Sequence, residues 1–139
     1  MIKLFILLSL FNTKLESRAQ KYLGKYYDKE IFLIEQRDIL NGKLYYISNT
    51  SDILYIGKSP SRFEDFDFMV LFDKDKTIKL VKILVYREDY GGEIGSTRWL
   101  RQFIGLDKPI NRVSAISGAT ISVNSLHYSV NKLLRKLGE

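Results

Sequence analysis

The chain has 139 residues, 45% hydrophobic and 27% charged, with a net charge of +6, no cysteine and a single histidine, His127. This length supports one domain with one sizeable core. The composition excludes a disulfide framework, a zinc knuckle, an iron–sulfur cluster and a thiol nucleophile, and leaves little for a histidine-based metal site or a serine triad. The Lys and Arg residues are scattered and never form a run of five, so the positive charge points to a membrane surface or acidic partners rather than to nucleic acid. Any redox chemistry would need a borrowed cofactor.

The chain opens with Lys3 and then eight residues, 4–11, almost all large and apolar. That run is too short for a membrane-spanning helix of about 20 apolar residues. Ser17 and Ala19 put small side chains at the −3 and −1 positions of a cut after Ala19. The pattern predicts a signal peptide over residues 1–19 and a single domain over residues 20–139, exported to the periplasm or the outer face of the membrane. The alternative is a buried first helix or strand. Residues 21–27 are basic and Tyr-rich and read as a short helix or a lead-in.

From residue 31 the apolar period changes to two. Strands are expected near 31–35, 43–47 and 53–57, with Asn41-Gly42 as a hairpin dipeptide. Gly57-Lys58-Ser59 reads as the start of a loop. It is not a phosphate-binding P-loop, because position 52 is Asp where that motif needs Gly. Residues 66–72 and 77–86 alternate as two strands around the charged turn Asp73-Lys74-Asp75-Lys76, which lacks the spacing and closing Glu of a calcium loop.

Two stretches stand out. Residues 88–95 carry three glycines directly after a strand, which suits a close backbone approach or simply a wide turn into the next helix. That helix, near 96–104, aligns Trp99, Leu100, Phe103 and Ile104 and stops at Gly105. Trp99 reads either as a core anchor or as an apolar wall for a ligand. The second stretch is Ser117-Gly118-Ala119-Thr120, which opens a helix near 122–137 with Val123, Leu126, Val130, Leu133, Leu134 and Leu137 on one stripe. A hydroxyl cap and an anion site are both open readings of this start. His127 lies beside the stripe and reads as an ordinary hydrogen-bonding residue. The fold class is α+β: a twisted, mainly antiparallel sheet packed against a short helix and a C-terminal helix.

The order strand, Glu-x-x-Gly-Gly loop, Trp-containing helix, then Ser-Gly-Ala-Thr before a C-terminal helix resembles the FMN-binding domain family. That family includes the extracytoplasmic flavin subunits of the sodium-translocating NADH:quinone reductase and Rnf complexes. The resemblance spans residues 67–137. It implies an FMN cofactor carried as a phosphoester on Thr120, with Ser117, Gly118 and Ala119 completing the attachment turn. It also implies that Glu88, Gly91, Gly92, Glu93 and Ile94 approach the isoalloxazine ring, and that Trp99 walls it. The implied partners are a flavin transferase that uses FAD and a membrane electron donor or redox partner protein, with no nucleic acid. The implied role is an electron-carrier flavoprotein rather than a self-standing catalyst. A non-covalent FMN module and a structural domain without cofactor are the alternatives.

Overall fold

The computed structural model describes residues 13–89 and 91–139. Five strands, β1 (Leu33–Ile39), β2 (Gly42–Ile47), β3 (Ile53–Ser59), β4 (Phe66–Phe72) and β5 (Ile78–Val85), form one open antiparallel sheet in chain order. Among the described residues three helices accompany it: α1 (Lys14–Tyr27), the single turn α2 (Thr97–Leu100) and α3 (Thr120–Leu137). Short 3-10 turns, Gly92–Gly95 and Arg101–Phe103, flank α2. The α+β expectation holds.

The layering explains β4. All seven of its residues are buried, so it reads as a continuous apolar run rather than an alternation. One face, with Phe66, Phe68, Val70 and Phe72, packs with the stripe of α3 and with Trp99, Leu100 and Phe103. The opposite face, with Met69 and Leu71, packs with Ala19 and Leu23 of α1. Helices thus cover both faces of the sheet. The six apolar anchors of α3 are buried, and each contributes about 1.5–3 kcal/mol of burial against exposure.

Helix α1 is longer and earlier than residues 21–27. Thr13 begins it with a reciprocal capping box: its hydroxyl accepts from Glu16 N, and Glu16 accepts from Thr13 N. Arg18 donates from Nη1 to Leu84 O at 2.7 Å, tying the helix to edge strand β5. The bond after Ala19 therefore lies inside this helix, with Ala19 fully buried. Residues 1–12 of the expected leader lie outside the described residues.

Two strand boundaries shift. Strand β1 runs to Ile39 through the polar stretch Glu35-Gln36-Arg37-Asp38, all exposed, with a register shift between Glu35 and Arg37. An edge strand tolerates such residues because one side faces water. Strand β3 includes Gly57, Lys58 and Ser59, because these pair with β4 in register: Gly57 with Phe68, Lys58 with Asp67, Ser59 with Phe66. The turn after β4 is as expected, with Asp73 Oδ1 accepting from the Asp75 and Thr77 amides.

At the far end of the sheet, Tyr27 donates to Asp52 Oδ2 and Lys79 meets the same oxygen at 2.7 Å. Burial first, then the Asp52 bond, holds the Tyr27 phenol protonated far above its ordinary range.

Leu23, with no exposed surface, tests whether α1 belongs to the folded domain. Leu23→Ala is expected to lower unfolding free energy by about 2–5 kcal/mol, read by urea denaturation, through lost burial and the cavity left behind.

Candidate functional site

At one end of the sheet, strand β5 runs out into residues 86–89 and α3 begins beside it. The cleft between them holds about 450 Å³ and is lined by residues 61–63 of the β3–β4 connection, by Tyr86 and Glu88, and by residues 118–122. That volume lies within the range of small-molecule sites.

The start of α3 forms its floor. Gly118 adopts φ 79°, which favours glycine, and the Ala119 amide donates to Ile116 O at 3.1 Å, so the chain turns sharply into the helix. The N-cap position is Ala119 and no side chain caps the helix. The hydroxyl-cap reading of Ser117 to Thr120 is thereby corrected: Ser117 and Thr120 are exposed and leave the first-turn amides without a side-chain acceptor. These amides and the helix dipole form a positive floor suited to an anion.

Hydroxyls fix this helix end in place. Ser122 is buried and contacts Ser61 Oγ at 2.5 Å and Tyr86 Oη at 2.9 Å. One turn on, Ser59 Oγ meets Ser125 Oγ and Ser129 Oγ, each at 2.6 Å. The sequence signal for these was the serine spacing 122, 125, 129 on one helix face, which the apolar stripe overshadowed.

The two unusual stretches meet at Gly91. A Cβ placed there would lie 2.3 Å from Ala119 Cβ and 3.0 Å from Tyr86 Oη, and Gly91 adopts φ 79°. Only glycine allows the loop to press against the start of α3 so closely. Glu88 faces the cleft, yet its carboxylate turns to the neighbouring loop: Oε1 accepts from Phe63 N at 2.8 Å and from Glu64 N at 3.4 Å. The Phe63 amide, above all, holds the Glu88 carboxyl below its ordinary range. Phe63 is 77% exposed at the cleft mouth, with the Arg62 guanidinium 5.2 Å from its ring centroid.

Of the residues expected from sequence, Gly118, Ala119, Thr120 and Glu88 line the cleft, and Gly91 abuts it. Gly92 and Glu93 are exposed on the following 3-10 turn, and Ile94 is buried in the core. Trp99 is a core residue: its ring packs edge-on against Phe103, and Nε1 donates to Ser114 O at 2.7 Å. It does not line the cleft. Its effect is indirect, since Ser114 N also donates to Gln102 Oε1 at 2.8 Å, so α2 and its 3-10 turn grip the segment leading to Ser117. His127 donates from Nε2 to Ile110 O at 2.7 Å, as an ordinary hydrogen-bonding residue should. Among the described residues there is no acidic or histidine cluster able to hold a metal.

Two outcomes follow from this geometry. Gly91→Ala should cost about 1–3 kcal/mol in chemical denaturation, because a methyl is forced against Ala119. Gly92→Ala, which meets nothing within 4 Å, should stay close to wild type. The Glu88 tie is present at neutral pH and is lost as pH falls through its lowered pKa, where protonation removes the acceptor charge. Hydrogen exchange at the Phe63 amide should therefore accelerate in acid beyond the intrinsic pH trend, and Glu88→Ala should show the faster exchange already at neutral pH.

A family model described as an FMN-binding domain matches residues 64–135, more than half of the chain. No curated protein matches it. The matched segment begins on the β3–β4 turn and carries the glycine loop, α2 and nearly all of α3. The chain belongs to the FMN-binding domain family and takes FMN as its cofactor.

Proposed function

We propose that the protein is an exported electron-transfer flavoprotein whose FMN is esterified through its phosphate to Thr120. The observation that carries the reading is the uncapped start of α3: Thr120 is exposed at the floor of the cleft, at the head of a helix whose first-turn amides have no side-chain acceptor.

The residues present fit the cofactor. The α3 amides suit a phosphate. Arg62, at the cleft mouth, adds a cation for its remaining charge, and Phe63 and Tyr86 offer aromatic surface to a planar ring. When bound, the flavin supplies the electron chemistry. The chain holds the phosphate end on a rigid helix, keeps the loop at Gly91 pressed to that helix, and fixes the Phe63 loop through Glu88.

Attachment requires a separate transferase, because a threonine hydroxyl is a poor nucleophile unaided and the described residues offer no metal cluster. With FAD as donor, Thr120 Oγ1 forms the new bond to the FMN phosphorus and the pyrophosphate bond breaks. AMP leaves, and the hydroxyl proton passes to a base on the transferase. Gly118 makes no contact within 4 Å of its Cβ position, which leaves the approach to Thr120 open.

Export rests on the apolar run at residues 4–11. The burial of Ala19 and the Arg18 bond to Leu84 support a domain that keeps residues 13–19 rather than losing them to a cut after Ala19.

One observation favours a second reading, a non-covalent FMN module. Ser114 stands three residues before Ser117, where the family's attachment motif commonly has Asp, and both its backbone groups are already engaged.

Co-expression with a flavin transferase, followed by a denaturing gel and intact mass, separates the two. A fluorescent band carrying the mass of one FMN, lost in Thr120→Val, is expected. A yellow native protein that releases all its flavin on denaturation would instead establish the non-covalent module. The same mass reports whether residues 1–19 are retained.

A further inference from the structure

The cleft end of the sheet carries a second kind of surface. A hollow of about 440 Å³ lies between the start of α1 and the end of β5, and its rim holds Lys14, Arg18, Lys58 and Arg87. The acid within it, Asp67, is buried and paired to Arg87 at 2.6 Å, and among the described residues the exposed Lys14 and Lys58 have no ion-pair partner. Lys58 also lines a neighbouring groove of about 580 Å³ with Tyr128 and Lys132, and that groove shares Ile121 with the cofactor cleft. The groove thus shares one lining residue with each of the other two hollows, Lys58 with the basic one and Ile121 with the cleft.

Large apolar side chains project from this same end. Leu40 at the β1–β2 turn is 39% exposed, Ile121 50%, Tyr128 63% and Phe63 77%. Exposed apolar groups interleaved with Lys and Arg are what a lipid interface selects: the apolar parts enter the headgroup layer while the cations meet phosphates. Glu64 and Asp65 are exposed acids on the β3–β4 turn of this end, while Glu88 is engaged by backbone amides. Thr13, which lines the basic hollow, follows the apolar run of residues 4–11 by a single residue. Among the described residues no helix is long and apolar enough to cross a membrane.

We propose that this end of the sheet is a membrane-docking face that rests on anionic phospholipid. Docking places the cofactor cleft at the lipid surface, because Ile121 lies on the wall between cleft and groove. The proposal does not depend on whether the flavin is covalent.

The test uses the full chain and sedimentation with vesicles of phosphatidylcholine alone or phosphatidylcholine mixed with phosphatidylglycerol. Wild type should partition more strongly to the anionic vesicles, and added salt should remove the difference. The double variant Lys14→Glu/Lys58→Glu should lose at least roughly fivefold per residue changed in anionic partition. Lys25→Glu/Lys74→Glu carries the same net charge change but lies at the opposite end of α1 and of the sheet, and it should keep most of the binding. Equal partition of wild type to both vesicle types would overturn the proposal. So would equal losses in the two double variants, because attraction would then follow net charge and not this face.

Discussion

The contact on which the rest of the site depends is the approach of Gly91 to Ala119. The glycine loop and the Ser-Gly-Ala-Thr turn lie more than 20 residues apart in sequence, and each alone reads as a common turn. Their contact, with no room for a side chain at Gly91, makes them two sides of one cleft.

An uncapped helix start carries a cost. Replacing a good capping residue by alanine typically costs about 1 kcal/mol, and here Ala119 holds that position. The structure offsets it elsewhere along the same helix. Six apolar anchors bury one face, and Ser122, Ser125 and Ser129 couple it to Ser59, Ser61 and Tyr86. Asn131 adds two bonds to Ile110. The helix is held so firmly by its sides that its first-turn amides can remain open to an anion, which is the arrangement an anion-binding helix end needs.

Much of this was legible. The periodicities located β4, β5 and α3 within a residue or two, because a central strand and an amphipathic helix impose strong local patterns. Helix α1 was obscured by its own composition: the apolar run before it has the form of a leader, and its buried residues, Ala19 and Leu23, are few. Strand β1 was cut short because Gln36, Arg37 and Asp38 look like loop, although an edge strand accepts them. In the site, Thr120, Gly118 and Gly91 could be located because they sit in dense small-residue stretches. Ser61, Arg62 and Phe63 could not, since nothing in the sequence says that the β3–β4 connection folds beside α3. Glu88 was legible as a site residue but not in its role, which is to hold a neighbouring loop. Trp99, a residue that attracts functional readings, supports the site from the core instead.

The two ends of the sheet differ in a way that assigns their work. The far end is closed: Tyr27, Asp52 and Lys79 satisfy one another, and Lys79 also lies over the Tyr26 and Tyr27 rings. The cleft end leaves polar and apolar groups open together: an uncapped helix, Phe63 at the mouth, and Lys14 and Lys58, which have no ion-pair partner among the described residues. Open groups of both kinds weaken an isolated fold, since neither exposed aromatics nor unsatisfied amides contribute to its stability. The far end also leaves large apolar side chains exposed, at Tyr26, Tyr46 and Ile104, so what sets the cleft end apart is the uncapped helix start beside a cleft, while both sheet faces are packed by helices.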